Sequence, residues 1–203
     1  MSATAQAGSA ASLRRQADRD HLERLVARSG GRLVVDSWAD RPGRPIRLTL
    51  ACRTVGDARF PQTAETTIRL RIDLPARYPF ERPVITVETP IFHPNVFPNG
   101  TVCQGEKWLP GDAMDLVIKR LIRLLTFEAD HVNPASPANA AAANWYRSQL
   151  RQRAGLFPTD SLRLDESRVL LHCPACRAGL RLPSGRRGTV SCPRCRHEFD
   201  ART

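Results

Sequence analysis

Six cysteines carry most of the reactive chemistry open to this 203-residue chain, and they fall into different settings. Four form a duplicated knuckle: Cys173-Pro174-Ala175-Cys176, then fifteen residues, then Cys192-Pro193-Arg194-Cys195. Two such pairs supply four thiolates, the ligand set of one structural Zn2+. A tail of roughly 30 residues has too little apolar surface to fold without a staple of this kind. The four cysteines complete that set, so His172 and His197 are left out of it. Iron–sulfur or redox use is the less favoured reading. Cys52 alternates with Ile46, Leu48 and Leu50 and reads as a small buried hydrophobe. Cys103 lies instead in a Pro/Gly/Asn-rich stretch, Thr89–Gly111, without helical or strand period; loops that long inside a domain are usually functional. A thiol there is suited to carry an acyl group, because thiolate is both a good nucleophile and a good leaving group. A hydrolytic Cys–His dyad, with His93 or His131 as base, and a purely structural cysteine are the rival readings.

The surrounding sequence must hold that loop. Ser12 can cap a helix through Leu13, Ala17, Leu22, Leu25 and Val26, stopped at Ser29-Gly30-Gly31. Its other face carries Arg14, Arg15, Arg19, Arg24 and Arg28. Alternating apolar residues predict strands within 32–38, 45–55, 66–74 and 83–88, separated by turns as in an antiparallel meander. Beyond the loop, Met114, Val117, Ile118, Leu121, Leu124 and Leu125 recur at helical spacing behind Asp112, a predicted cap. A last helix is predicted over 138–150, with Ser136 as cap and Pro137 at its first position. The stretch 154–170 reads as a linker with some helical character.

Four motifs in this order have a family resemblance. His93-Pro94-Asn95 stands ten residues before Cys103 with a Gly-containing turn between. Tyr78-Pro79-Phe80-Glu81-Arg82-Pro83 precedes the last strand, and Trp108-Leu109-Pro110 follows the cysteine. Asn133-Pro134-Ala135-Ser136-Pro137-Ala138-Asn139 enters the last helix. Over residues 12–150 the sequence resembles the ubiquitin-conjugating enzymes. The resemblance implies an α+β fold: an N-terminal helix, a four-stranded antiparallel meander and C-terminal helices, here with a small zinc ribbon appended. It implies that Cys103 accepts a ubiquitin-like protein from an activating enzyme as a thioester and passes it to an amine. Asn95 would donate its amide to the tetrahedral oxyanion, a kind of donor whose loss costs roughly 10²–10³ in rate. His93 and Pro94 would shape the loop. The activating enzyme would dock on the basic first helix, and a ligase or substrate on the loops of Phe80 and Pro110 or on the ribbon.

The chain departs from the family at Gln104, where an apolar residue is usual, and in the short span from Cys103 to Trp108. His131-Val132 stand before Asn133 where the family often has an acidic residue. Asp130 is therefore the first candidate to activate the incoming amine and His131 the second.

The expected organisation is a disordered segment 1–11, a conjugating-type domain 12–153, the linker 154–170 and a ribbon 171–203. No long apolar run or secretory leader is legible, so a cytoplasmic protein without a membrane partner is expected. The net charge of +11 comes almost wholly from arginine, since Lys107 and Lys119 are the only lysines. That bias fits a GC-rich, bacterial source, and nucleic acid is the less favoured reading of the charge. Lysine scarcity would also limit self-modification by a protein that carries an activated acyl group. A non-catalytic adaptor, binding a ubiquitin-like protein or nucleic acid through the ribbon, is the alternative function.

Overall fold

A computed structural model describes residues 10–39, 43–105, 108–153, 155–162, 164, 168–183 and 187–202. Residues 1–9, most of the expected disordered segment, lie outside the described residues, as do Lys107 and parts of the expected linker. The chain divides into two compact units, Met1–Arg163 and Leu164–Thr203. No helix among the described residues is long and apolar enough to cross a membrane.

In the first unit, helix α1 (Ala10–Arg28) precedes strands β1 (Leu33–Ser37), β2 (Ile46–Val55), β3 (Ala64–Asp73) and β4 (Val84–Val87). They form one antiparallel sheet in the order β1-β2-β3-β4. Helix α2 (Met114–Leu125), a 3₁₀ turn (Ala129–His131) and helix α3 (Ala140–Gln152) follow, as the α+β reading requires. Period-2 alternation sends Ile46, Leu48 and Leu50 to one face, opposite Ile72, Leu70 and Ile68 in register; all six are buried. Each such side chain contributes about 1.5–3 kcal/mol of transfer free energy. From α2, Met114, Ile118, Leu121 and Leu125 are buried.

Three helix starts differ from the sequence expectation. Ser12 lies inside α1, whose first residue is Ala10. The residue before α2 is Ala113, which makes no side-chain cap. Asp112 instead pairs with Arg120, and the Met114 N–H donates to Asp18 Oδ1 from α1, 3.2 Å away. Helix α3 begins three residues after Pro137 because Asn139 Oδ1 accepts from the Ala142 N–H at 3.1 Å. The expected apolar stripe of α1 is also shorter. Leu13 is exposed, and the buried side chains are Asp18, Leu22 and Leu25. Asp18 tolerates burial because Arg14, the Tyr78 hydroxyl and the Met114 N–H all donate to it. Arg14 therefore turns away from the basic outer face and also reaches the carbonyls of Pro110 and Asp112. This acceptor on Tyr78, with burial first, pushes its phenol far above the ordinary tyrosine range.

After α3, residues 155–162, inside the stretch expected as a linker, are packed. Phe157 stacks on Phe127 at 5.0 Å between ring centroids. Thr159 donates to the Arg53 carbonyl, and Asp160 accepts from Arg32 and from the Arg53 N–H.

The second unit is two hairpins, β5 (Arg168–His172) with β6 (Gly179–Pro183) and β7 (Arg187–Ser191) with β8 (Glu198–Arg202). Its apolar cluster is small: Cys173, Leu180 and Cys192, with Leu182, Val190 and Phe199 partly buried around them.

Candidate active site and cysteine cluster

The loop that carries Cys103 is fixed from both ends. On one side it extends the sheet edge: the Val87 N–H donates to the Gly100 carbonyl and the Val102 N–H to the Ile85 carbonyl, both at 2.9 Å. Gly100 sits at φ +85°, and a Cβ there would stand 2.4 Å from the Val87 carbonyl oxygen. Only glycine fits both the conformation and the approach. On the other side, the Pro94 carbonyl accepts the N–H groups of Ala138 and Asn139, tying the loop to the entry of α3.

Within that frame the sequence-predicted residues split into a buried set and an open one. His93 is fully buried. Its Nδ1 accepts the Asn95 N–H at 2.9 Å, and its Nε2 lies 2.8 Å from the Leu124 carbonyl. An acceptor at Nδ1 and a donor at Nε2 define one neutral tautomer. Burial holds the imidazole's pKa down at about 3, so it has no proton-transfer role near neutrality. Its ring packs on Phe127 at 4.2 Å. Phe127 sits at φ +60° just past α2, where the Phe127 N–H reaches the Leu124 carbonyl and the Glu128 N–H the Arg123 carbonyl. This pairing closes the helix end. The left-handed conformation costs a non-glycine residue about 1–2 kcal/mol, which the aromatic cluster of His93, Tyr146 and Phe157 around the ring offsets.

Asn95 is likewise buried. Its Oδ1 accepts the Asn133 N–H at 3.0 Å, which fixes the amide orientation and leaves Nδ2 facing the Cys103 carbonyl at 3.5 Å. The Cys103 N–H donates to the Asn95 carbonyl at 2.7 Å. Cys103 itself is half-buried with a free thiol. A cavity of about 220 Å³ is lined by Val102 and Gln104, the chain neighbours of Cys103, with Asn95, Trp108, Asp130 and His131. Asp130 is exposed on the 3₁₀ turn, and His131 Nδ1 is buried with no hydrogen-bond partner among the described residues.

Residues 61–155 match the family model described as ubiquitin-conjugating enzyme. They belong to that family. The chain is similar to two proteins described as "Ubiquitin-conjugating enzyme E2" from African swine fever virus. With the Badajoz 1971 Vero-adapted strain's protein it shares 32% identity over 90 residues, 39% of this chain and 40% of the viral one. With the Pig/Kenya isolate's protein it shares 30% over 95 residues, 41% and 42% of the two chains. The chain thus spans about two fifths of the length of the curated relatives it matches.

The first unit holds contacts that local sequence did not reveal. Gln104, the departure after the cysteine, donates Nε2 to the Pro83 carbonyl at 2.9 Å, and so anchors the chain leaving Cys103 to the start of β4. Trp108 Nε1 donates to the Pro79 carbonyl at 2.6 Å. In the Arg14–Asp18–Tyr78 network the first two are an i,i+4 pair on α1, but Tyr78 stands 60 positions from Asp18, with no periodicity to signal the contact. Cys52 is buried in the core, and burial pushes its thiol up to about 12, which makes it inert.

In the second unit the four knuckle sulfurs lie within 4.8 Å of one another and could hold one metal ion. The Sγ atoms of Cys173 and Cys195 are 3.6 Å apart and those of Cys176 and Cys192 3.7 Å. Four thiolates at about 2.3 Å around a tetrahedral centre would lie about 3.8 Å apart, so the donor set fits such an ion. The two knuckles repeat one backbone design: the Cys173 and Cys192 carbonyls accept the N–H groups of Arg177 and Arg196. Both arginines are left-handed, at φ +55° and +59°.

Proposed function

We propose that this chain is a conjugating enzyme that carries a ubiquitin-like protein as a thioester on Cys103. The Cys103 thiolate attacks the thioester carbonyl that links the modifier to its activating enzyme; the new C–S bond forms as the activating enzyme's thiolate leaves. An acceptor amine then attacks the same carbonyl. The tetrahedral oxyanion collapses by expelling the Cys103 thiolate, and the amine gives up its proton to a base. Asp130 is the first candidate for that base and His131, which lines the same cavity, the second.

The observation that carries this reading is the Asn95 amide. Its oxygen is committed to Asn133, so its NH₂ group stays aimed toward Cys103 and is preorganised to receive negative charge there. His93 and Pro94 act by holding that geometry. The activating enzyme would meet the exposed basic face of α1 through Arg19, Arg24 and Arg28. Phe80, 73% exposed, and Pro110 would offer a ligase an apolar contact. The ribbon at 171–203 would bind one structural Zn2+ through Cys173, Cys176, Cys192 and Cys195, which when bound supplies the cross-link that a small core cannot.

The test is to express Cys103→Ser and Cys103→Ala in cells that make the matching activating enzyme and to record intact masses. An adduct of small-protein mass on the serine form alone, stable to reducing agent as an oxyester, is the expected result. No adduct on either form would move the reading to the non-catalytic adaptor.

A further inference from the structure

The two units treat arginine differently. In the first, about half of the described arginines pair with carboxylates of the same unit, among them Arg14 with Asp18, Arg32 with Asp160, Arg47 with Glu88 and Arg71 with Asp73. In the second, Arg177, Arg181, Arg194 and Arg196 are exposed, and none forms an ion pair with another described residue. Use of arginine in place of lysine is common to the whole chain, in which Lys107 and Lys119 are the only lysines. It does not explain why about half of the described arginines of the first unit are paired while Arg177, Arg181, Arg194 and Arg196 of the second all stay open.

Backbone conformation adds a second observation. Arg177 and Arg196 each follow the second cysteine of a knuckle and occupy left-handed conformations. Glycine takes that conformation without strain, so the backbone gains nothing from an arginine at either place. The same residue type at both equivalent positions sets an exposed arginine next in the chain to Cys176 and to Cys195, two of the four converging cysteines. On the second knuckle Arg194, Arg196 and His197 are all exposed, and the His197 ring lies nearly parallel to Phe199, at 12°. His172, also exposed, precedes the first knuckle.

We infer that the knuckle tips of the second unit form a binding surface for single-stranded nucleic acid, with Arg177, Arg194 and Arg196 on phosphates and His197 as a platform for a base. Open guanidiniums interleaved with an exposed aromatic ring are what a flexible phosphodiester strand requires. A protein partner would call for an apolar centre with charge at its rim. The large exposed apolar side chains of this unit, Val169 and Leu170, lie on β5 and not at the tips. The inference goes beyond the conjugating reading and does not rest on it.

The experiment uses the full zinc-loaded chain and a fluorescein-labelled single-stranded oligonucleotide of about 16 nucleotides, the upper range of a single site. Anisotropy titrations at several salt concentrations give affinity and salt slope. Arg177→Gly with Arg196→Gly relieves backbone strain while removing two charges, so the unit stays folded. Binding should weaken about tenfold and the slope of log K against log salt should fall by about 1.4, 0.7 for each lost phosphate contact. Arg194→Gln alone should lower it by about 0.7. The inference is overturned by any of four results: no binding by the unaltered chain; an equal loss from Arg24→Gln with Arg28→Gln on α1, which would mean diffuse charge; equal competition by a glutamate oligomer of matched charge, which would mean an acidic protein partner; or faster zinc release to a colorimetric chelator by the double glycine variant with oligonucleotide affinity unchanged, which would assign the arginines to the metal centre.

Discussion

The cysteine of the first unit and the cysteines of the second are held in place by opposite means. Cys103 stands on a loop fixed by backbone hydrogen bonds to β4 and to the entry of α3, over an aromatic cluster centred on Phe127. Nothing in that arrangement needs the thiol, which is therefore free to react. The four knuckle cysteines are themselves the structure of their unit, since Cys173 and Cys192 form most of its small buried cluster. Where a large core pays for the fold, a cysteine is available for chemistry; where cysteines replace the core, a metal ion would occupy them. The charges follow a similar division, about half of the described arginines being paired in the first unit while Arg177, Arg181, Arg194 and Arg196 of the second stay open.

The largest test of this contrast is removal of metal. Chelation, or Cys192→Ser, should unfold the second unit outright, because apparent metal-binding energies of about 10–16 kcal/mol are folding energy in such small units. Hydrogen exchange should then show unprotected amides in β5–β8 and unchanged protection in α2. Loss of protection in both would break the comparison. Phe127→Ala should do the reverse. It opens the aromatic cluster at a cost of about 3–5 kcal/mol, read as a lower denaturation midpoint of the first unit with metal retention by the second unaltered.

Asn95→Ala should slow discharge of a charged Cys103 to a free amine by roughly 10²–10³, measured by single-turnover assay. A wild-type rate would remove Asn95 from the chemistry. The acid response should also be localised. His93 is held neutral down to about pH 3 in the fold, whereas in the unfolded chain it takes a proton near pH 6.5. The unfolded state therefore binds more protons between those values, and stability of the first unit falls as pH drops below about 6.5, by up to about 1.4 kcal/mol per pH unit. His93→Gln should flatten that slope in denaturation series between neutral pH and pH 5. The smallest effect is expected from Arg47→Ala, which breaks the exposed pair with Glu88. Such pairs contribute less than about 1 kcal/mol, and a larger loss would mean that this pair is more than an exposed surface contact.

Local pattern made much of this protein legible. Period-2 alternation marked the strands, helical spacing marked α2, and two pairs of cysteines at fixed spacing marked the metal-ligand set. Cys103 stood out because it occupied a long segment with neither period, and Cys52 because it kept strict phase with its strand. These signals survive in sequence because each depends on neighbours a few residues apart. The helix caps were less legible. Asp112, Ser12 and Ser136 are all good capping residues, yet α2 takes its acceptor from Asp18, 96 positions away in the chain. A free N–H donates to whichever oxygen the packed fold brings near.

What the sequence by itself determined is the inventory and its periods: which residues could be nucleophile, oxyanion donor and metal ligand, and which faces must be buried. Tertiary structure alone decided that His93 is sealed away as a neutral hydrogen-bond bridge, that the Asn95 amide is turned by Asn133, and that Arg14 serves a buried carboxylate. It also decided that residues 155–162 pack against the domain. Each of these outcomes depends on burial and on which distant polar groups meet. Both are set when the elements pack, and neither leaves a mark on the local order of residues.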